Sequence, residues 1–500
     1  MHELSKRIRG AVIESPPDVY ATDYGGIDRV NPRLVVVAED IADVQHTVAY
    51  ARRQGLRVAV RGHGCSSTGL CLSDGVVLDM TALRRFTLGS SDTVCADAGV
   101  RWTPLQEELI ERGRSCIVLG DSPAATVGGF LSVGGFGSSS VICGPAINHV
   151  TGLDIVDGKG ELVHAAPGGE HDQLFHYALA GLGQTGIIVR AHFRVREHKP
   201  YWAMRARSFP EHTTVDQINA FLAQARPFEH CVVTFDIRVR KWQLLWASEH
   251  AQRPNTQGAP WLAAAVFGLA HRAIPAIGYP AIAGETIAQT RGLQRMLQGS
   301  VAGSEQREKM MHYFEDALER APRGIALQCA HRFMNQSAEA VVQSNIEASI
   351  RAGRVTEGSQ LRNIWNDFMM PSDRAEEFFR MFRKLFDDPV STRGYFGMLL
   401  FNDGGEHSRL PLSPVPDAPM VNAISNYQMV PPSMVDDQHR RLDEAREACL
   451  EAGGRVYLYG YHPKELGFYR RQFGEEVVAR WQQTKERYDP GNILGAPIFA

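Results

Sequence analysis

Alternating and amphipathic segments predict an α/β unit near the start of the chain. Residues 34–60 begin with the apolar run LVVVAED, continue through the amphipathic segment IADVQHTVAYARRQG and end in RVAV. An apolar run, a helical period and a second apolar run are typical of a strand, a helix and a strand. The same criteria predict strands at 75–80 and 92–99 and a helix near 104–113.

Two later segments predict a hairpin and a helix that precedes a strand. Asp157-Gly158 separates two apolar runs in GLDIVDGKGELVHAA (152–166), which is a strong hairpin signal. In LFHYALAGLGQTGIIVRAHFRV (174–195) the GxGxxG pattern of Gly181 to Gly186 follows a helix and precedes a strand. A dinucleotide fingerprint needs the reverse order, so we interpret these glycines as a tight turn.

The pattern changes after Lys199-Pro200 to longer helices with scattered strands, and it predicts three regions: 1–199, 200–425 and 426–500. The most apolar segment, 261–284, is interrupted by His271-Arg272 and two prolines. A membrane span needs about 20 apolar residues, so we interpret the segment as a buried or interfacial helix and predict no membrane span.

Composition excludes several classes of protein. With 500 residues, 44% hydrophobic positions and a net charge of -3, the chain lacks the basic excess of a nucleic-acid-binding protein. Its eight cysteines form no CxxC pair and no zinc-type spacing with histidine, so no metal site is predicted. The start, MHELSKRIRG, lacks the apolar region of a signal peptide, and we expect a cytoplasmic protein.

The loop RGHGCSSTG (61–69) concentrates glycines and hydroxyl side chains directly after a predicted strand. Successive backbone N–H groups in such a loop can form an anion-binding nest. No GK[ST] follows, which disfavours a nucleotide triphosphatase. From spacing alone, a phosphate site and a plain turn-rich loop both remain open.

These segments together carry a family resemblance. RGHGCSSTG, VVLDM, DSPAATVGGFLSVGG, GP (144–145), LDIVDGKGELV, LAGLGQTGIIVRA and the terminal YDPGNIL occur in order. The chain thus resembles the vanillyl-alcohol oxidase superfamily with its PCMH-type FAD-binding domain, and most closely the cytokinin dehydrogenases. The resemblance implies an α+β fold: two α+β subdomains, from the N-terminal part and the C-terminal tail, with an inserted α+β substrate-binding domain.

The resemblance also implies FAD as cofactor and a set of residues that bind it. They are Arg61, Gly62, His63, Gly64, Cys65, Ser66, Asp121, Thr126, Gly128, Gly129, Ser132, Gly135 and Ile188. Cys65 stands where relatives carry a histidine joined to the flavin, so that bond cannot form there. We expect noncovalent FAD; a Cys65 thioether is the alternative, and His63 as a substitute linker is the less favoured one.

For catalysis the resemblance implies Asp121, which falls on the active-site aspartate of cytokinin dehydrogenases. There the carboxylate accepts a hydrogen bond from the substrate amine while the adjacent C–H gives hydride to flavin N5. Asp236 is a weak candidate for a second acid, and Trp365, Asn366 and Tyr427 are candidate substrate contacts, although large aromatic residues are more often core.

The sequence therefore predicts an FAD-dependent oxidase or dehydrogenase that oxidises a C–N bond of a small molecule to an imine and passes electrons to oxygen or a quinone. Two alternatives stay open: oxidation of an alcohol or sugar, and a flavin-binding protein with little redox activity. The substrate and the oligomeric state are left undetermined.

Overall fold

The computed structural model describes residues 2–89, 92–120, 125–199, 201–236, 240–251, 362–387 and 394–499. The apolar segment 261–284 lies outside these residues. In the described ranges, no helix combines the length and apolar character that a membrane crossing requires.

The first layer is a four-stranded sheet in the order β1-β2-β4-β3, in which β2, β4 and β3 are parallel. Helix α2 connects β2 to β3; it begins after Asp40, whose side chain accepts a hydrogen bond from the Asp43 N–H, and ends at Gly55 with φ +63. These elements are α1 (His2–Ser5), β1 (Ala11–Ile13), β2 (Leu34–Val37), α2 (Ile41–Gln54), β3 (Val58–Arg61) and β4 (Val76–Asp79).

The second sheet has the order β5-β6-β10-β8-β9, with β7 also paired to β10. One face packs into the main hydrophobic core through residues such as Leu153, Ala191 and Phe193. The opposite face packs against the first sheet through residues such as Val156 and Val189 and is polar around Asp154, His164 and His192. Its strands are β5 (Phe86–Leu88), β6 (Thr93–Asp97), β7 (Arg114–Cys116), β8 (Val150–Val156), β9 (Leu162–Ala165) and β10 (Ile187–Glu197). Its helices are α3 (Trp102–Glu111), α4 (Val127–Leu131), α5 (Ser140–Cys143) and α6 (Asp172–Ala178).

The third sheet has seven strands in the order β11-β13-β12-β15-β16-β14-β17. Its strands are β11 (Tyr201–Pro210), β12 (His230–Asp236), β13 (Lys241–His250), β14 (Arg362–Pro371), β15 (Gly394–Phe401), β16 (Met420–Val430) and β17 (Arg455–Val456). The remaining helices are α7 (Val215–Ala225), α8 (Ser372–Phe386), α9 (Val435–Glu451), α10 (Leu466–Phe473) and α11 (Glu475–Tyr488).

The local predictions for the first 200 residues are confirmed. Strand, helix and strand occupy 34–61, the hairpin joins β8 to β9, and α6 precedes β10. Sheets and helices are mixed, as an α+β fold requires. The division into subdomains stays a prediction, as do the domain boundaries, and the predicted boundary at 425 falls inside β16.

Candidate functional site

The loop after β3 offers backbone donors that nothing in the described part of the chain uses. The N–H groups of Gly62, His63 and Gly64 have no hydrogen-bond partner there. Gly64 has φ +73, which puts the chain in the left-handed turn conformation from which anion-binding nests are built. Consecutive unsatisfied N–H groups in such a turn suit a phosphate group.

Arg61 supports this loop from beneath. Its buried guanidinium donates hydrogen bonds to the Thr22 carbonyl oxygen at 3.2 Å and to Cys71 Sγ at 3.2 Å. A Cβ placed on Gly64 would come within 2.5 Å of the Arg61 Nη2 atom. The absence of a side chain at Gly64 therefore lets the loop lie directly on Arg61.

The second glycine stretch, residues 126–140, packs against the first, the loop 61–69. Thr126 caps α4 by accepting a hydrogen bond from the Gly129 N–H, and a Cβ on Gly62 would overlap the Thr126 hydroxyl. Gly128 lies close to the residue that follows β6, because a Cβ there would come within 2.7 Å of the Ala98 Cβ. Two stretches that are separated by 60 residues in sequence thus form one glycine-lined surface.

The remaining predicted cofactor residues differ in what they contact. The Ser132 hydroxyl donates to the Gly128 carbonyl at 2.7 Å, and Gly135 has φ +76. Ile188 is buried in β10 beside Ile155. Their roles toward a cofactor stay predictions.

Cys65 and His63 occupy different environments in the first loop. Cys65 is half-buried, whereas His63 is exposed. The mode of flavin attachment stays a prediction.

A short segment after β17, residues 457–461, joins the glycine stretches to the third sheet. The Tyr457 hydroxyl accepts a hydrogen bond from the Gly135 N–H at 3.1 Å, and the Tyr459 carbonyl accepts one from the Ser67 N–H at 3.3 Å. On the other side, the Tyr457 N–H donates to the Asp367 carbonyl oxygen at 2.9 Å. This segment therefore places one face of β14 next to both loops.

That face of β14 carries an aromatic group around a carboxyl, which we call the Trp365 cluster and define as Tyr24, Trp365, Asp367, Tyr457 and Tyr459. The Trp365 ring lies 5.6 Å from the rings of both Tyr24 and Tyr459, and Tyr457 lies 4.6 Å from Tyr459. Trp365 and Asp367 share a face because they are two residues apart on a strand. Flat rings beside a carboxyl suit a planar organic molecule that carries an N–H or O–H group.

Asp367 is the buried titratable group of this cluster. Burial raises the pKa of its carboxyl from 3.8 to about 6, although hydrogen bonds from Tyr459 and Ser425 oppose the rise. Its Oδ2 atom has no hydrogen-bond partner among the described residues. A carboxyl with this pKa and a free acceptor oxygen can take up a proton near neutral pH.

A buried polar network anchors the second glycine stretch to strands β12 and β13. The Ser138 hydroxyl lies 2.9 Å from His230 Nδ1, and His230 Nε2 lies 2.6 Å from Glu249, which Arg196 contacts at 2.7 Å. Burial lowers the pKa of His230, so the neutral ring donates from Nε2 and accepts the serine proton at Nδ1. These buried contacts fix the Ser138 side chain against β12 and β13, which gives the network a positioning role.

The structure brings together only part of the predicted catalytic and substrate set. Trp365 lies on the face described above, whereas Asn366 points to the opposite face, where its amide donates to the Tyr461 carbonyl. Tyr427 pairs with Trp365 in register, but its side chain lies outside the described part.

The two predicted acids cannot be placed as side chains. Asp121 lies outside the described residues. Asp236 ends β12, and its side chain is likewise outside the described part. Two strands, β15 and β16, separate β12 from β14, so Asp236 is about 14 Å across the sheet from Asp367.

Sequence reasoning missed Asp367, Tyr457 and Tyr459. The prediction stopped at Trp365 and Asn366, although period 2 along IWNDFMMP puts Asp367 on the same face as Trp365. No local signal marks Tyr457 or Tyr459, because their positions depend on contacts with residues 90 or more positions away.

Comparison with known proteins agrees with this geometry. Residues 32–166 match the family described as FAD binding domain. An oxidoreductase from the fasciation locus of Rhodococcoides fascians is 39% identical over 183 residues, which cover 36% of this chain and 42% of that protein. Cytokinin dehydrogenase 2 of Arabidopsis thaliana is 36% identical over 205 residues, 40% of each chain. Cytokinin dehydrogenase 9 of Oryza sativa subsp. japonica is 34% identical over 180 residues, 34% of each.

The matched region spans less than half the length of these relatives. The matches support FAD as the cofactor, and the loop geometry fits it: the unused N–H groups of Gly62 to Gly64 suit a pyrophosphate. The predicted superfamily resemblance is confirmed at this level.

Proposed function

We propose, from the FAD-binding domain that residues 32–166 form, that this chain is an oxidoreductase that removes hydride from a carbon next to an amine nitrogen and so yields an imine. The observation that carries the proposal is the Trp365 cluster, which the segment 457–461 holds against both glycine stretches. FAD, when bound, would supply the acceptor for the hydride, which carries both electrons removed from the substrate.

The amine substrate explains why a carboxyl is needed. Loss of hydride from the carbon converts C–N to C=N and leaves the nitrogen with an N–H proton and a developing positive charge. A carboxylate that accepts this proton removes the charge as it forms. The flat aromatic rings would hold an unsaturated or heteroaromatic substrate and exclude water from the reacting carbon.

Two carboxyls are candidates for the proton acceptor. Asp121 is the first, on the resemblance to cytokinin dehydrogenases. Asp367 is the second, because its Oδ2 atom is unpartnered among the described residues and its pKa of about 6 suits a base near neutral pH. In either case the remaining carboxyl would orient the amine by accepting a hydrogen bond.

The test of the reaction class is anaerobic reduction of the bound flavin by a panel of secondary amines, alcohols and sugars, followed by absorbance. We expect amines to bleach the flavin and the other compounds to leave it oxidised. Bleaching by alcohols or sugars alone would move the substrate class to hydroxyl compounds. Retained colour with every compound would favour a flavin-binding protein without this activity.

The test of the base is stopped-flow reduction of Asp121→Asn and Asp367→Asn at saturating amine. We expect Asp121→Asn to slow reduction by about 10² to 10⁴-fold, as loss of a general base does. Reoxidation of chemically reduced flavin should stay unchanged, since the carboxylate acts only on substrate. A rate for Asp121→Asn within threefold of wild type would transfer the role to Asp367.

The pH profile separates the two candidates further. If Asp367 accepts the proton, the rate of reduction must rise with pH through about 6, because only the ionised carboxyl is a base. The Asp367→Asn variant would then lose both the rate and this dependence.

A further inference from the structure

The polar face of the second sheet carries two histidines and an aspartate that the proposed function does not use. Asp154 on β8 pairs in register with His164 on β9, and His192 on the neighbouring β10 completes the group. The opposite face of the same sheet packs against α4 through the main core. The three side chains therefore lie behind the sheet that supports the glycine-lined surface and do not belong to it.

The donor atoms of the three residues are close enough to share one ion. His164 Nδ1 lies 2.8 Å from Asp154 Oδ1, and His192 Nε2 lies 3.6 Å from Asp154 Oδ2. All three donor atoms lie within 4.8 Å of one another. Ligands on a tetrahedral zinc ion with bonds of about 2.0 to 2.2 Å are about 3.4 Å apart, so only small side-chain rotations are needed.

The surroundings leave this group accessible. The His164 side chain is 61% exposed, which gives an ion a path from solvent. A Cβ on Gly152 would come within 3.3 Å of the His164 ring, so the glycine leaves room for that ring. Arg190 donates its hydrogen bond to Asp97 at 2.9 Å and forms a longer ion pair of 3.6 Å with Asp154 Oδ2, which a bound cation would have to displace.

We propose that Asp154, His164 and His192 bind one divalent transition-metal ion such as Zn²⁺, with solvent in the fourth position. Two imidazoles and one carboxylate are a usual set of protein ligands for zinc, whereas Mg²⁺ prefers oxygen ligands alone. The ion would bridge the adjacent strands β9, β8 and β10 and stabilise the sheet behind α4. Its role is structural, and it does not enter the oxidation.

The test is calorimetric titration of the chelator-treated, flavin-loaded protein with Zn²⁺, beside Mg²⁺. We expect one equivalent of Zn²⁺ to bind, no Mg²⁺ to bind, and Zn²⁺ to raise the melting temperature because it binds the folded state. His164→Ala and His192→Ala should each weaken binding by about 100-fold or more, since even loss of an outer-shell partner costs about 10 to 100-fold.

Two variants serve as matched controls. His176 contacts Asp172 at 3.4 Å within one helix, and among the described residues these two do not belong to a group of three potential metal ligands. His176→Ala should therefore leave Zn²⁺ binding unchanged. Cys95 lies 4.0 Å from His192 Nε2 but is outside the proposed set, so Cys95→Ser should bind within threefold of wild type. Zinc binding that survives in both His164→Ala and His192→Ala would overturn the proposed ligands, and so would loss of binding in either control. Absence of Zn²⁺ binding to the wild-type protein would overturn the site itself.

Discussion

At the scale of single residues, Asp367 and Cys65 offer the most direct tests of the proposed chemistry. Asp367 combines full burial, an unpartnered oxygen within the described ranges and neighbouring aromatic rings. On the family resemblance, Cys65 is predicted to stand at the loop position of a linking histidine. Each residue permits a test that needs no knowledge of the substrate.

The buried carboxyl of Asp367 should make stability depend on pH. Because its pKa is raised from 3.8 to about 6, the folded protein binds this proton more tightly than the unfolded chain does. The stabilisation that comes from protonated Asp367 is therefore complete below about pH 4. It is lost as pH rises through about 6, and the loss lowers the free energy of unfolding by about 3 kcal/mol.

Denaturant unfolding of wild type and Asp367→Asn between pH 4 and 7 measures this dependence. We expect Asp367→Asn to become more stable relative to wild type as pH rises. Asp373→Asn, at the exposed start of α8, serves as the control and should follow wild type. A constant difference between Asp367→Asn and wild type across this range would contradict a raised pKa at Asp367.

Acid precipitation tests the attachment of the flavin at Cys65. We expect the yellow flavin to appear in the supernatant, because noncovalent FAD is released when the protein unfolds. Flavin that stays in the pellet of wild type but not of Cys65→Ser would establish a thioether. Retention that only His63→Ala abolishes would instead identify His63 as the linker.

At the scale of elements, the structure depends on contacts between the two glycine stretches and the strands beside them. The loop after β3 lies on Arg61 and against Thr126, and both contacts require glycines at the touching positions. Glycine is needed at Gly64 for a second reason, since its φ of +73 is unfavourable for other residues. Substitutions there should act on cofactor binding more than on the global fold.

Gly64→Ala and Gly168→Ala separate these two reasons. Gly168 has φ +71 and no atom within 4 Å of an added Cβ, so its substitution introduces backbone strain alone. That strain costs about 1 kcal/mol in both variants, whereas only Gly64→Ala also displaces Arg61. We expect Gly64→Ala to lose at least tenfold in FAD affinity and Gly168→Ala to match wild type, as measured by flavin fluorescence titration. Equal affinities would show that the loop does not hold the cofactor.

At the scale of the whole molecule, the end of the chain returns to the first sheet. The Val58 N–H donates to the Ile493 carbonyl at 2.7 Å, and the Arg57 guanidinium donates to the Gly495 carbonyl at 3.0 Å. A buried ion pair, Lys485 with Asp489 at 2.6 Å, holds the turn that makes this return possible. Asp489 also accepts hydrogen bonds from the N–H groups of Ile493 and Leu494.

Asp489→Ala should therefore be strongly destabilising. It leaves the Lys485 ammonium buried without its partner, and breaking one side of a buried pair typically costs about 3 to 5 kcal/mol. Glu476→Ala removes the acid of an exposed pair with Arg480, four residues apart on α11, and should cost less than about 1 kcal/mol. Thermal unfolding of both variants measures the difference, and similar melting temperatures would contradict the importance of the buried pair.

Local order was predictable from sequence because it depends on neighbours along the chain. Apolar periodicity located β2, α2, β3 and the hairpin of β8 and β9, and glycine spacing located both loops. The FAD-binding family was likewise accessible, since its motifs are short and occur in a constant order.

Tertiary structure alone decided which distant residues meet. Asp367 becomes a candidate base only because segment 457–461, nearly 100 residues later, holds its strand against the first loop. His192 joins Asp154 and His164 only because β10 pairs with β8, and no zinc-type spacing marks the three in the sequence. Sheet pairing brings such residues together because lateral contacts follow strand order and register, which local propensity does not specify.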